Sequence, residues 1–138
     1  MPVSFRILKQ KGLVYVRYEG VARLEETMQA FADYARHPDC APGQRQFVDL
    51  TALEGIEMDF PKLMETQAQK AGTFVNGAAE TLIVYLAPTP LSQSLAQTIV
   101  RSWEPFPAVV PVVLGEEREA LSVLGLRENS IEKLLAAA

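Results

Sequence analysis

Runs of apolar residues along the chain predict five β-strands. They are residues 5–10, 13–18, 47–50, 81–87 and 108–114. Between the first two strands, Gly12 supplies the positive φ that a tight two-residue hairpin connection needs. Apolar residues on both faces of the second and fourth strands predict that these two are interior strands. Pro111 has no N–H group, so the last strand is expected at an edge of the sheet or at a bulge.

Apolar residues at helical spacing lie between these strands. The predicted helices are residues 22–36, two segments that begin at Phe60 and Pro90, residues 116–124 and residues 130–138. The predicted buried faces are Leu24, Met28, Phe31 and Ala35 in the first helix and Leu91, Leu95, Ile99 and Trp103 in the third. Asp59 and Thr89 each stand just before a helix with proline in its first turn, which is the position of an N-cap. Residues 51–59 are expected to form an acidic connection.

The predicted order of elements, β-β-α-β-α-β-α-β-α with a terminal helix, indicates an α/β fold. We expect a five-stranded mixed sheet, with an N-terminal antiparallel hairpin followed by parallel βα units, in a single domain over residues 1–138. The last two strands are apolar on both faces, so the second face of the sheet needs a cover. The terminal helix, a second subunit or an apolar ligand could supply it, and a homodimer is therefore expected.

Composition narrows the classes of function. The chain has 138 residues, of which 49% are hydrophobic and 22% are charged, as is typical of a soluble globular protein. A net charge of −4 is unlike the basic surface of a nucleic-acid-binding protein, so no nucleic-acid partner is expected. One cysteine and one histidine exclude an internal disulfide and a multi-histidine metal site. The start of the sequence does not resemble a signal peptide, and we expect a cytoplasmic protein that can also lie peripherally at a membrane.

No pattern in the sequence predicts an enzyme. His37 and Cys40 lie three residues apart in a predicted loop, with no third group to orient the histidine. The acidic residues Glu54, Glu57 and Asp59 match no calcium-binding loop. The sequence contains neither a phosphate-binding glycine motif nor the G-x-S-x-G motif of serine hydrolases. We therefore expect a non-enzymatic protein with no cofactor and no bound metal.

Aromatic residues are the candidates for contact with a ligand or a membrane. Most of them are expected in the core, whereas Trp103 and the turn that holds Phe106 between two prolines predict an exposed apolar contact. Tyr85 belongs to the aromatic set that could line a pocket. Thr89 follows the carboxyl end of a parallel strand, where open α/β sheets bind ligands. Because the strand ends are acidic, a polar or hydrophobic ligand or a protein surface is favoured over a nucleotide or another anion.

Three stretches and one helix resemble a known family. Residues 14–20 (VYVRYEG), 47–51 (FVDLT) and 84–90 (VYLAPTP), with the late segment Glu119-Ala120-Leu121, resemble bacterial SpoIIAA-like proteins. Those proteins belong to the structural group shared by STAS and CRAL-TRIO domains, and the resemblance covers about residues 4 to 125. It implies a sheet wound in one direction as a β-α superhelix, in which right-handed crossovers put the connecting helices on one face.

The resemblance implies two functions. CRAL-TRIO domains bind lipids or other hydrophobic small molecules, and we expect a binding module of this kind. STAS proteins act as anti-sigma-factor antagonists and are switched by phosphorylation of a serine or threonine at the start of the helix after the third strand. This sequence has no serine or threonine in residues 52–65, so that residue is missing and only Thr51 lies nearby. In this alternative, Thr51, Asp59 and Phe60 form the surface that meets a protein partner.

Overall fold

Strands and helices alternate along the chain after an initial hairpin. The computed structural model describes residues 2–75 and 80–137, and the predicted end of the last helix, residue 138, lies outside them. The strands are β1 (Val3–Leu8), β2 (Leu13–Ala22), β3 (Arg45–Ile56), β4 (Thr81–Leu86) and β5 (Val109–Leu114). The helices are α1 (Leu24–Arg36), α2 (Phe60–Val75), α3 (Pro90–Arg101), α4 (Glu117–Val123) and α5 (Ile131–Ala136).

The strands form one mixed sheet in the order β1-β2-β3-β4-β5. β1 is antiparallel to β2, whereas β2, β3, β4 and β5 run parallel to one another. This arrangement confirms the predicted α/β fold with an N-terminal hairpin and parallel βα units. β2 and β4 are interior strands, and β5 lies at an edge, where the missing N–H group of Pro111 is tolerated.

Two connections differ from the prediction. The hairpin is closed by four residues instead of two, because Leu8 pairs with Leu13 across a 3-10 turn, although Gly12 has the expected positive φ of 60°. β3 continues to Ile56, through residues that were predicted to form an acidic connection. Ala22 at the end of a long β2 pairs with Ile56, so backbone hydrogen bonding extends β3 beyond its apolar run.

Each face of the sheet has its own apolar core. The first core lies under α1, α2 and α3 and includes Ile83 and Tyr85 of β4. The second core lies on the opposite face, where Val84 and Leu86 meet side chains of α4 and α5 such as the fully buried Leu134. The three connecting helices are therefore on one face, as the resemblance implies. The two C-terminal helices pack over the second face.

The buried faces of two helices differ from the predicted ones. In α1, Ala35 is exposed, whereas Thr27 and Tyr34 are buried. In α3, Leu91 is 50% exposed, and Ala96 takes the buried position instead. The difference in α1 has a physical reason: the hydroxyl groups of Thr27 and Tyr34 find partners in Tyr18 and Gln44, so these two polar side chains can be buried.

Candidate functional site

A cavity of about 110 Å³ lies in the first core, between the sheet and the helices α1, α2 and α3. Apolar side chains of the sheet form its floor, among them Val14, Val16, Val48, Leu50 and Ile83. Aromatic side chains form much of the remaining wall, among them Phe5, Phe31, Tyr34, Phe74, Tyr85 and Trp103. The cavity therefore offers mostly apolar surface to whatever occupies it.

The aromatic rings of the wall contact one another. The ring centroids of Phe31 and Phe74 lie 5.7 Å apart in an edge-to-face arrangement, and the ring centroids of Phe74 and Trp103 lie 6.4 Å apart. On the other side of α1, the ring of Phe5 meets that of Tyr34 edge-on at 5.9 Å. Such pairs add to the stability gained from burial and hold each ring in place. The shape of this wall is therefore set by packing between α1, α2, β1 and the end of α3.

Tyr85 and Trp103 meet at the wall of the cavity through a hydrogen bond. The indole Nε1 of Trp103 donates to the hydroxyl oxygen of Tyr85 at 2.9 Å, and both side chains are buried. Burial raises the pKa of Tyr85, because the phenolate would lose its hydration. The hydroxyl group of Tyr85 therefore stays protonated at neutral pH and has a hydrogen to donate.

Gln67 of α2 brings an amide group to the same cavity. The side chain is 2% exposed, and its Nε2 donates to Ser102 Oγ at 2.8 Å. Its Oε1 is buried, and no hydrogen-bond donor reaches it from the part of the chain that the structure describes. A buried acceptor without a donor is unusual in a folded protein.

The comparisons with known proteins concern the fold. No protein-family model matches this sequence, and no curated protein matches it. Among solved structures, the chain is similar to an uncharacterized protein of the DUF3478 family with a SpoIIAA-like fold from Shewanella loihica. The two chains share 16% identity and superpose with a TM-score of 0.55 over 88% of this chain and 93% of the other. This chain has a SpoIIAA-like fold.

The SpoIIAA-like fold brings two of the four predicted ligand contacts together. Tyr85 and Trp103 both line the cavity. The side chain of Trp103 is 2% exposed, so it is buried as the apolar face of the third helix predicted, and the prediction of an exposed contact at Trp103 is wrong. Phe106 is half-buried and packs edge-on against Trp103 at 6.1 Å, away from the cavity wall. Thr89 is exposed and caps α3, where its hydroxyl oxygen accepts from the N–H of Ser92 at 3.0 Å. Contact of these residues with a ligand stays a prediction.

On the opposite face of the SpoIIAA-like sheet, Asp49 is the centre of a polar cluster that the sequence analysis missed. Tyr15 donates its hydroxyl hydrogen to Asp49 Oδ2 at 2.7 Å, and the hydroxyl and N–H groups of Thr51 donate to Oδ1 at 2.6 and 3.0 Å. Burial, together with the hydrogen bond to Asp49, raises the pKa of Tyr15. Thr51 lies within β3 and not at its end. A carboxylate within an apolar strand was the available signal.

The start of α2 carries the other predicted residues of the partner surface. Asp59 caps this helix, since its Oδ1 accepts from the N–H of Lys62 at 3.1 Å. Phe60 is 63% exposed, and the neighbouring Met58 is 68% exposed. The two side chains form an exposed apolar patch, which we call the α2 patch. Whether a protein meets this patch stays a prediction.

His37 and Cys40 lie where α1 ends. His37 is the C-cap residue of α1, and its Nδ1 accepts from the N–H of Asp39 at 3.0 Å. Within residues 2–75 and 80–137, no three side chains of histidine, cysteine, aspartate or glutamate are grouped so that they could hold a metal ion. In the same residues, no helix combines the length and the apolar character that crossing a membrane requires.

Proposed function

We propose that this protein is a non-enzymatic binding module for a hydrophobic small molecule, and that the molecule occupies the cavity of the first core. The observation that carries the proposal is the cavity itself, which is bounded by apolar strand residues and by a wall of aromatic rings. A ligand that removes this surface from water gains roughly 25 cal/mol for each Å² of apolar area.

The volume of the cavity limits the size of the bound group. An engineered apolar cavity of about 150 Å³ in another protein holds benzene, and sites for drug-sized molecules have roughly 300–1,000 Å³. The volume of about 110 Å³ is closer to the first value. A cavity of this size accommodates a single ring or a short alkyl chain. A lipid would place only one end of a chain here.

The non-enzymatic part of the proposal is supported by the state of the buried polar groups. Both carboxylate oxygens of Asp49 already accept hydrogen bonds. Tyr15, Tyr34 and Tyr85 all have a raised pKa because they are buried, so none of them is a ready proton acceptor at neutral pH.

The first test is the thermal stability of the protein with toluene. At a toluene concentration ten times its Kd, the expected gain is about 1.4 kcal/mol, which raises the Tm by roughly 4 °C. The variant Val16→Phe fills the cavity with a ring and should lose this response. Val112→Phe adds the same bulk to a half-buried strand valine of the second core and should keep it.

Native mass spectrometry of the protein purified without detergent covers the case of a larger ligand. A retained mass that is lost on denaturation, and is missing from Val16→Phe, would support the proposal and identify the class of molecule. No retained mass, together with no toluene response in the wild type, would refute it.

A second candidate function is interaction with a protein. The partner would be either another protein, as for anti-sigma-factor antagonists, or a second copy of this chain in a homodimer. This function is favoured by the α2 patch, because Met58 and Phe60 are both more than 60% exposed. Sedimentation velocity should then show a dimer that dissociates in the double variant Met58→Ser/Phe60→Ser. The control is Val123→Ser, which removes a 48% exposed valine of α4. A wild-type protein that stays monomeric at all concentrations would refute the homodimer.

A further inference from the structure

The polar end of the cavity indicates which class of apolar molecule belongs there. We propose that the bound molecule carries one neutral hydrogen-bond donor, as a phenol or an alcohol does, and that Gln67 Oε1 accepts this hydrogen. The inference rests on the proposed function, because it assumes that the cavity is occupied. It specifies the chemical class of the ligand and assigns a specificity-determining role to Gln67.

The orientation of the Gln67 amide follows from its neighbour Ser102. The hydroxyl group of Ser102 donates its hydrogen to the carbonyl oxygen of Ile99, so Ser102 Oγ can only accept from Gln67. The amide nitrogen must therefore face Ser102, and Oε1 is the atom that remains without a donor. Turning the amide over would place two acceptors against each other. A ligand donor removes the penalty of this buried acceptor without any rearrangement.

Tyr85 adds a complementary polar group to the lining of the cavity. Its hydroxyl oxygen accepts from Trp103, which follows Ser102 directly in the chain, so both polar groups are held by the end of α3. The hydroxyl hydrogen of Tyr85 remains available, because burial keeps the group protonated. A hydroxyl group on the ligand can donate to Gln67 and accept from Tyr85, whereas a purely apolar ligand can do neither.

A carboxylate ligand fits this arrangement less well. It offers acceptors only, and these would oppose Gln67 Oε1. Lys70 also lines the cavity, one helical turn along α2, and is the group with which an anion would pair. A phenol would therefore contact Gln67 of α2, whereas a benzoate would pair with Lys70 of the same helix. A comparison of the affinities of phenol and benzoate distinguishes the two kinds of ligand.

The test measures dissociation constants of toluene, phenol and benzoate by isothermal titration calorimetry. Toluene and phenol have nearly the same shape, so the ratio of their Kd values isolates the hydroxyl group. In Gln67→Met, which keeps the volume and removes the amide, phenol should lose about tenfold in affinity relative to toluene. The matched control is Thr66→Val, because the buried Thr66 also lines the cavity, but its hydroxyl already donates to the carbonyl oxygen of Lys62 at 2.9 Å. This control should leave the ratio unchanged.

A second variant covers the case in which Gln67→Met does not fold. In Ser102→Ala the amide of Gln67 can turn over, so the preference of the protein for phenol over benzoate should fall. Two results would overturn the inference: a phenol-to-toluene ratio of Kd values that is unchanged in Gln67→Met, or tighter binding of benzoate than of phenol by the wild type. In either case, binding of toluene would still support the proposed function. If the wild type binds neither toluene nor phenol, and native mass spectrometry finds no retained mass, both the inference and the proposed function are refuted.

Discussion

At the scale of single residues, Asp49 and Gln67 are buried polar side chains in contrasting states. Asp49 accepts three hydrogen bonds, from Tyr15 and from two groups of Thr51, whereas Gln67 Oε1 accepts none. The first state is typical of a group that stabilises the fold, since a charged buried acceptor needs several donors. The second state is unusual for a buried acceptor, and the proposed ligand would supply the missing donor. The contrast leads us to place a ligand in the first core and a structural role in the second.

Asp49→Ala should therefore destabilise the protein without affecting ligand binding. It leaves the hydroxyl of Tyr15 and two groups of Thr51 without their acceptor, and we expect the free energy of unfolding to fall by roughly 3 kcal/mol. Urea denaturation measures this loss. Tyr15→Phe removes one of the three bonds and should cost about half as much. A change below about 0.5 kcal/mol in Asp49→Ala would contradict the structural role.

At the scale of elements, the N-terminus of α3 allows a sharp test of one predicted ligand contact. Thr89 and Ser92 form a capping box, in which each side chain accepts from the backbone N–H of the other residue. Thr89→Ala should lower the free energy of unfolding by about 1 kcal/mol, and Thr89→Ser should restore most of the loss. Toluene affinity should be equal in all three proteins, because Thr89 does not line the cavity. A lower affinity at unchanged stability would instead support the ligand contact.

The elements also show which features a sequence can predict. The caps Asp59 and Thr89 were predictable, because an N-cap is set by residues within one helical turn. By contrast, the N–H of Leu24 at the start of α1 donates to Glu57, a residue that the sequence analysis assigned to an acidic connection. Such a contact depends on strands that are distant in sequence. The same reason explains why Gln67 was missed, since its surroundings exist only after α2 packs beside α3.

At the scale of the whole molecule, contacts between distant segments hold the two C-terminal helices on the sheet. Leu134 of α5 is fully buried against the second core. Arg45 at the start of β3 donates to the carbonyl oxygen of Leu124, next to α4, and to that of Lys11 in the hairpin turn. The predicted need for a cover on the second face was correct, but a choice between the terminal helix, a second subunit and a ligand required the structure.

The ion pair between Lys11 and Glu128 joins the hairpin turn to the segment between α4 and α5, and it makes this attachment dependent on pH. Lys11 Nζ lies 2.9 Å from Glu128 Oε1, and this hydrogen bond holds the pKa of Glu128 below its ordinary value near 4.5.

A carboxyl group with a lowered pKa stabilises the folded state above its unfolded pKa, and the contribution is lost as the pH falls through the folded value. Glu128→Gln should therefore have a lower Tm than the wild type at pH 7, and the two Tm values should converge as the pH falls through the lowered pKa of Glu128. The control is Glu65→Gln, which removes an exposed carboxylate of α2. A Tm difference for Glu128→Gln that is the same at pH 7 and at pH 3 would show that the side chain acts through packing rather than through its charge.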